Sequence, residues 1–238
     1  MIKVLVTGEH DTSSYPQKLP DGRPIQWTCV RVLRFERMPV NKELVESVVQ
    51  NPLDWIIFTS ERSVRFWSEL LLEYGFDFPI QTQVACVGEA TSQAAEDDGF
   101  TCDFYPTEPG SQGFLTEFED LLSNSSAKPS VLIPMAQEGR TVIPDRLKSL
   151  GCKTEVLCLY RTIPLESIDL KPEVLEEQDA VLVTSPSSVD SLWSRFSPSK
   201  KIKIISLGKH TSQRLGQLGI PHSTLPESQI DLVGEVLC

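Results

Sequence analysis

The sequence predicts an α/β protein with two similar doubly wound parallel-sheet (flavodoxin-like) domains joined by a two-strand hinge. Three observations support this fold. Stretches from the first half of the chain recur in the second half, each joins an apolar run to a capped helical pattern, and the apolar runs require cover on both sheet faces. Such strand-helix units are typical of parallel sheets.

The clearest repeat is an apolar run that ends in Thr-Ser. DWIIFTS begins at Asp54, and DAVLVTS begins 125 positions later at Asp179. VGEATSQ from Val87 matches LGKHTSQ from Leu207 at an offset of 120, and there is a weaker match of VLVT near the N-terminus to VLIP from Val131. Because internal similarity marks duplicated structural units, we expect two copies of one architecture.

The second repeat predicts local structure. Residues 84–88 and 204–208 are expected to be strands, and helices 91–98 and 211–218 should follow and end at Gly99 and Gly219. In open parallel sheets, ligands bind at the carboxyl ends of the strands. The Thr-Ser and Gly-x-x-Thr loops lie at those ends. We therefore expect an anionic small molecule to bind there, in a cleft between the domains, although the loops could serve only as helix N-caps.

The repeats do not form two consecutive halves, because further strand-like segments precede and follow the first Thr-Ser unit. We predict one discontinuous domain, 1–36 with 163–238, and one inserted domain, 37–162. Segments 29–35 and 156–161 could pair as a bridge, and Pro39 and Pro164 mark the crossings as extended turns. Residues 10–23 are expected to form an exposed, flexible loop.

Charge and cysteine usage exclude several functional classes. The net charge of −11 argues against nucleic acid as a partner, since a sequence-independent binder needs a basic face. The six cysteines form no C-x-x-C pair and only three histidines are present, so no metal site is predicted. No apolar run reaches the roughly 18 residues that span a bilayer. We expect a cytoplasmic protein with reduced thiols and no membrane contact.

A series of short motifs runs along the chain. They are WIIFTS from Trp55 with Val64, Val87-Gly88 with Thr91, VLIP from Val131 with Gly139-Arg140, Leu147 to Gly151, Tyr160-Arg161-Thr162, Thr184-Ser185-Pro186-Ser187, and Leu207-Gly208 with Thr211. Each is weak by itself. Their order and spacing resemble the uroporphyrinogen-III synthase family of tetrapyrrole biosynthesis over nearly the whole chain.

That resemblance implies a lyase without cofactor or metal. Its substrate is the linear tetrapyrrole hydroxymethylbilane, whose acetate and propionate arms carry eight carboxylates. The enzyme removes water, inverts ring D through a spiro intermediate and closes the macrocycle to uroporphyrinogen III, on the way to haem, sirohaem, chlorophyll and cobalamin. Backbone N–H groups and hydroxyls at helix starts can bind such arms without a basic patch. We expect a monomer that receives its substrate by transient handover from hydroxymethylbilane synthase.

The resemblance also implies site residues. Tyr160 is the candidate catalytic acid for the departing hydroxyl group, although it could instead be a strand tyrosine packed on the bridge. Arg62 could pair with a propionate or be a solvated helix residue, and Lys209 could bind an arm or simply be exposed. The candidate substrate-binding residues are Thr59, Ser60, Arg62, Thr91, Ser92, Arg140, Thr184, Ser185, Ser187, Lys209 and Thr211.

The chain departs from the family pattern at three positions. Glu61 stands where Pro or a small residue is common, Met135 stands where a basic residue is common, and His210 is unusual. The alternative function is a non-catalytic two-domain binding or regulatory protein for an anionic metabolite, since a fold does not determine a function. A nucleotide-binding protein is disfavoured, because the sequence has neither G-x-G-x-x-G nor G-x-x-x-x-G-K-[ST].

Overall fold

A computed structural model describes residues 1–51, 53–79, 81–123, 128–168, 170–197, 201–226 and 229–237. The strands in chain order are β1 (Ile2–Thr7), β2 (Ile25–Val30), β3 (Leu33–Arg37), β4 (Trp55–Phe58), β5 (Gln83–Cys86), β6 (Ser130–Ala136), β7 (Lys153–Pro164), β8 (Ala180–Val183), β9 (Lys203–Leu207) and β10 (Ser223–Leu225). The α-helices are α1 (Lys42–Gln50), α2 (Glu61–Tyr74), α3 (Glu89–Asp97), α4 (Ser111–Ser123), α5 (Val142–Ser149), α6 (Pro172–Glu176), α7 (Pro186–Trp193), α8 (Lys209–Gln217) and α9 (Val233–Leu237). Short 3-10 helices span Thr12–Ser14 and Ile230–Leu232.

The chain divides into two compact units. The first unit consists of Met1–Arg34 with Ile163–Cys238, and the second unit is Phe35–Thr162. The sequence analysis set its domain boundaries after residues 36 and 162. Whether these units are domains that fold independently stays a prediction.

The first unit is built on a parallel sheet in the order β10-β9-β8-β1-β2. Successive residues of a strand point to opposite faces. Leu5 accordingly joins one apolar cluster with residues of α7 and α8, whereas Val4 and Val6 join another with residues of α9. Helices cover both faces, which explains why the strands read as unbroken apolar runs.

The second unit repeats this arrangement in a sheet with the order β3-β7-β6-β4-β5, in which β7, β6, β4 and β5 pair in parallel. Ile56 packs on one face in a cluster that contains Trp67 of α2. Ile57 packs on the other face in a cluster that contains Phe118 of α4. The predicted α/β fold with parallel sheets is confirmed.

The sequence repeats occupy equivalent places in the two sheets, with β6-β4-β5 in one matching β1-β8-β9 in the other. The repeated aspartate makes the same kind of hydrogen bond in both units. Asp54 Oδ2 accepts a hydrogen bond from the Ser130 amide at 2.7 Å, and Asp179 Oδ2 accepts one from the Lys3 amide at 2.8 Å. Each carboxylate therefore links the residue before one strand to the neighbouring strand.

The predicted bridge between segments 29–35 and 156–161 is only partly correct. β3 lies beside β7, but Cys29 and Val30 pair with β1. Between these strands Val32 is buried, and its carbonyl accepts a hydrogen bond from the Leu165 amide at 3.1 Å. Anchoring of this residue ends β2 and lets the chain start a new strand one residue later.

Two other local predictions need correction. α3 and α8 begin at Glu89 and Lys209, two residues earlier than predicted, because glycine rather than threonine occupies each N-cap. Residues 10–23 do not form a wholly exposed loop. Leu19 is only 3% exposed, and Tyr15 packs edge-on against Trp27 with ring centres 5.1 Å apart. Apolar side chains hold this segment on the first unit.

Candidate functional site

Serine-capped helices begin at the carboxyl ends of β4 and β8. Ser60 Oγ accepts a hydrogen bond from the Ser63 amide at 3.2 Å, at the start of α2. Ser185 Oγ accepts one from the Ser188 amide at 3.1 Å, at the start of α7. Both serines are therefore N-caps. The first four N–H groups of a helix lack an intrahelical acceptor. Each serine bonds one of them, so other backbone N–H groups at the same helix start can donate to a carboxylate.

Glycine-capped helices begin at the carboxyl ends of β5 and β9. Gly88 and Gly208 precede α3 and α8, and neither helix start has a side-chain cap. At these helix starts the backbone N–H groups without a side-chain cap lie at the positive end of the helix dipole, and both favour the binding of an anion. The sequence analysis put the binding role on hydroxyls here, but Thr91 and Thr211 are only 8% and 2% exposed.

The threonines that end β1 and β8 are bonded to each other. Thr184 Oγ1 donates to the Thr7 carbonyl at 2.8 Å, and the Thr184 amide donates to Thr7 Oγ1 at 3.1 Å. His10 Nε2 lies 3.1 Å from the same Thr7 carbonyl oxygen. The hydroxyl of Thr184 thus fastens neighbouring strands where a ligand was predicted. The sequence analysis did not single out Thr7 or His10.

Tyr160 lies in β7, next to the start of α2. Its side chain is largely buried, with the residue 6% exposed, and its hydroxyl oxygen lies 3.2 Å from Ser60 Oγ. The ring stacks on Phe66 at 4.8 Å between centres. Burial raises the pKa of the phenol above its usual value, opposed in part by the Ser60 hydrogen bond and by the charge of Arg62. The phenol is therefore protonated at neutral pH and can donate a proton.

An arginine-aromatic stack lies beside Tyr160. The guanidinium carbon of Arg62 is 3.8 Å from the centre of the Phe35 ring, within the range of a cation–π interaction. The same ring meets Tyr160 edge-on, with centres 6.2 Å apart. Arg62 is thus placed against an aromatic face rather than fully solvated. The sequence analysis missed Phe35 and Phe66, because their roles depend on contacts between segments distant in the chain.

Glu138 adds a carboxylate to this neighbourhood. Its Oε2 accepts a hydrogen bond from the Thr162 amide at 3.0 Å, and its charge contributes to the raised pKa of Tyr160. The residue follows β6, which lies between β4 and β7 in the sheet. A negative charge at this position favours the protonated phenol.

The remaining predicted residues lie at the same strand ends. Thr59 is half-buried after β4, Ser92 is buried in α3, Ser187 and Lys209 are exposed in the first turns of α7 and α8, and Arg140 is exposed between β6 and α5. The second unit brings Ser60, Arg62 and Tyr160 together. In the first unit, Thr184 and Ser185 follow β8, and Lys209 begins α8 after β9.

The described residues show neither a metal site nor a membrane-spanning helix. They contain no group of three or more His, Cys, Asp or Glu side chains that could hold a metal ion. None of the helices in these ranges is long and apolar enough to cross a bilayer.

Comparison with known proteins gives one family. The family model for uroporphyrinogen-III synthase HemD matches residues 25–230. A protein of Methanothermobacter thermautotrophicus provisionally named uroporphyrinogen-III synthase is 25% identical over 202 residues, which are 78% of this chain and 78% of that protein.

Solved structures share the fold. Uroporphyrinogen-III synthetase from Helicobacter pylori is similar with a TM-score of 0.69 at 18% identity, over 100% of this chain and 99% of that chain. A mutant uroporphyrinogen III synthase from Thermus thermophilus has a TM-score of 0.60 at 16% identity, over 100% of this chain and 96% of that chain. At such identities the similarity establishes the architecture, whereas roles of residues must come from the site.

Proposed function

The chain belongs to the uroporphyrinogen-III synthase family, and we propose that it cyclises hydroxymethylbilane to uroporphyrinogen III with loss of water and inversion of ring D. The observation that carries this proposal is the family match over residues 25–230, which includes all the predicted site residues. The reaction is a lyase reaction without change of oxidation state, so its chemistry requires no electron carrier.

The helix starts suit the charge of this substrate. Hydroxymethylbilane carries eight carboxylates, whereas the protein has a net charge of −11. A strongly acidic protein can still bind such a ligand when the donors are backbone N–H groups at helix starts, which add no positive surface charge. The starts of α2, α3, α7 and α8 supply these donors, and Arg62, Arg140 and Lys209 add cations.

Tyr160 is the proposed proton donor. The C–O bond of the hydroxymethyl group breaks as the phenol transfers its proton to the departing oxygen, which leaves as water. The phenolate and the cationic azafulvene then remain, and a later proton loss from the substrate restores the phenol. A phenol is protonated at neutral pH at its usual pKa of about 10, and burial raises the pKa of Tyr160 further, so the proton is present before this step and its transfer must be driven by the departing oxygen.

Positioning of the substrate supplies the rest of the rate enhancement. Ring closure requires the two ends of a flexible chain to meet with ring D reversed. Holding reacting groups in place can replace most of the entropic barrier of such a step. Ser60 orients the Tyr160 hydroxyl, and Phe66 packs along the ring, so the proton donor occupies a defined place before substrate binds.

The proposal extends to the setting of the enzyme. Hydroxymethylbilane closes spontaneously to the uninverted isomer I, so a short path from its source protects it. We therefore propose a cytoplasmic monomer that receives its substrate from hydroxymethylbilane synthase by transient handover. Gel filtration would test the monomeric state. A competitor that binds free hydroxymethylbilane without converting it would test the transient handover.

A coupled assay tests the activity. Hydroxymethylbilane is generated in situ, the protein is added, and the products are oxidised and separated as uroporphyrin I and III. Heat-denatured protein is the control. Predominance of isomer III supports the proposal, whereas isomer I alone with folded protein supports the alternative of a non-catalytic binding protein.

A further inference from the structure

His10 is a half-buried residue just after β1 to which the proposed reaction gives no role. Its Nε2 atom lies 3.1 Å from the Thr7 carbonyl oxygen. A carbonyl oxygen only accepts hydrogen bonds, so Nε2 carries a proton and donates it. The same oxygen accepts the hydroxyl hydrogen of Thr184 at 2.8 Å. The ring is thus held in one orientation, and within the described ranges of the chain its Nδ1 atom has no hydrogen-bond partner.

The backbone around β1 holds this ring in place. Gly8 has φ 111°, a conformation that favours glycine, and its amide donates to the Val30 carbonyl at 2.8 Å. A Cβ atom on Gly8 would lie 2.7 Å from Nε2 of His10, so the ring occupies the space that a side chain would fill. The Cys29 thiol donates to the His10 carbonyl oxygen at 3.5 Å. These contacts fold His10 back onto the end of the strand.

The end of β1 is a place where an open parallel sheet binds ligands. β1 lies between β2 on one side and β8 on the other, and β9 and β10 continue from β8. Strands connected after β1 therefore extend in opposite directions, which makes the boundary of β1 and β8 a topological switch point. Thr7 and Thr184 end these two strands, and their hydroxyls are hydrogen-bonded across the boundary. With these hydroxyls occupied, His10 offers a nitrogen to a ligand at this edge.

The second unit carries a cation in the equivalent loop. β1 corresponds to β6, and the loop after β6 contains Arg140, one of the proposed substrate-binding residues. The segment from β1 to Lys18 contains neither Lys nor Arg before that residue, so His10 is the side chain there that can become positive. A protonated His10 gives both units a cation at this strand end.

The carboxylates beside His10 have donors of their own. Glu9 pairs with Arg31, which follows β2. Asp11 Oδ1 accepts a hydrogen bond from the Ser13 amide at 2.9 Å. Because other donors bind both acidic neighbours, Nδ1 of His10 can serve a carboxylate that comes from outside the chain.

We propose that His10 binds one carboxylate of the substrate through Nδ1. A carboxylate oxygen only accepts hydrogen bonds, so the ring must carry its second proton when the ligand is bound. Histidine takes up this proton close to neutral pH, and an anion beside the ring favours the charged form. Nε2 then still donates to Thr7, and Nδ1 donates to an acetate or propionate arm. The inference rests on the proposed function, which supplies the carboxylate ligand.

Two substitutions separate the role of Nδ1 from that of Nε2. In His10→Gln the amide nitrogen can take the place of Nε2 and donate to Thr7, but nothing replaces Nδ1. In His10→Asn the shorter amide can take the place of Nδ1 and donate to a carboxylate, but the bond to Thr7 is lost.

The coupled assay and urea denaturation should therefore rank the two variants in opposite orders. We expect His10→Gln to raise KM for hydroxymethylbilane about tenfold, as for the loss of a hydrogen bond to a charged group, with kcat and the urea midpoint close to wild type. His10→Asn should retain more of the affinity and lose stability instead. A raised KM in His10→Asn with a wild-type KM in His10→Gln would overturn the proposal, since the bond to Thr7 alone would then explain His10.

His222→Asn is the matched control. His222 is also half-buried in the first unit, and its Nδ1 donates to the Ile220 carbonyl at 2.8 Å, a bond that asparagine can still form. Its KM should equal that of wild type. A rise as large as that of His10→Gln would contradict a specific role for His10.

Anaerobic calorimetry with uroporphyrinogen III, the proposed product, separates this inference from the proposed function. Weaker binding to His10→Gln than to wild type, in protein that forms no isomer III, supports the binding residue while the proposed function fails. Isomer III from wild type, with equal KM and equal product affinity in His10→Gln, overturns the binding residue while the proposed function stands.

Discussion

The hydroxyl oxygens of Ser60 and Tyr160 lie 3.2 Å apart, although the residues are 100 positions apart in the sequence. Ser60 is also the N-cap of α2. Ser60 thus fixes the start of α2, which is a candidate carboxylate-binding element. It also orients Tyr160, the candidate proton donor. Loss of either hydroxyl should disturb function more than folding.

Tyr160→Phe is expected to lower the rate of isomer III formation by about a hundredfold, at the lower end of what a general acid contributes. The ring remains, so its stack on Phe66 survives, and loss of the hydrogen bond to Ser60 should cost only about 1 kcal/mol of unfolding free energy. The rate is measured in the coupled assay and the stability by urea denaturation.

Tyr74→Phe is the matched control. Tyr74 is also in the second unit, and its hydroxyl donates to the Val40 carbonyl at 2.6 Å. Its removal should cost similar stability and leave the rate unchanged. Equal rates for Tyr160→Phe and Tyr74→Phe would remove Tyr160 from the mechanism.

Phe35→Leu is expected to raise KM about two- to fivefold with little change in kcat. Leucine keeps apolar volume but removes the aromatic face, and a partly exposed cation–π contact is worth roughly 0.5–1 kcal/mol. Phe35→Tyr should restore the wild-type KM. The prediction depends on Arg62, so Phe35→Leu should have no further effect on KM in the Arg62→Gln background. An undiminished effect there would show that Phe35 acts in another way.

Gly208→Ala and Gly88→Ala should differ although the glycines are repeat partners. Gly208 has φ 80° and ψ 158°, a conformation that is essentially restricted to glycine and costs another residue about 1–3 kcal/mol. Gly88 has φ 177° and ψ 170°, an extended conformation open to any residue. Urea denaturation should therefore show a clear loss only for Gly208→Ala. Equal losses would contradict this explanation.

Asp54→Asn should reduce the acid sensitivity of the fold. Hydrogen bonds from the Ser130 amide and hydroxyl lower the pKa of Asp54 below its usual value. A lowered folded-state pKa contributes stability that is present above the unfolded-state pKa of about 3.9 and is lost as pH falls through the folded-state value. The difference in unfolding free energy between wild type and Asp54→Asn should thus be larger at pH 7 than at pH 3. A constant difference would refute the linkage.

The repeats made the fold predictable. An aspartate, an apolar strand and a Thr-Ser loop recur in both halves, and each part has the same structural task in its own sheet. Local patterns could not set the strand ends near Arg31, because the break at Val32 depends on hydrogen bonds from a segment over 100 residues away. Which strand pairs with which is a tertiary property.

The sequence predicted which loops contribute to the candidate site, but it did not predict the contacts between their residues. Tyr160 and Ser60 were both named, but their hydrogen bond joins distant segments. Phe35 was missed because an aromatic residue on a strand usually signals packing. The buried hydroxyls of Thr91 and Thr211 were assigned to the ligand because a pattern of residue types does not reveal which way a helix-start side chain points.

The product isomer ratio tests the central claim most directly. Hydroxymethylbilane is supplied at a fixed rate while the concentration of the folded protein is raised stepwise, with Tyr160→Phe measured in parallel. The account predicts that the share of uroporphyrin III rises with wild-type protein until it is nearly the whole product, and that Tyr160→Phe needs far more protein to reach the same share. Uroporphyrin I alone at every concentration of folded wild-type protein would contradict it.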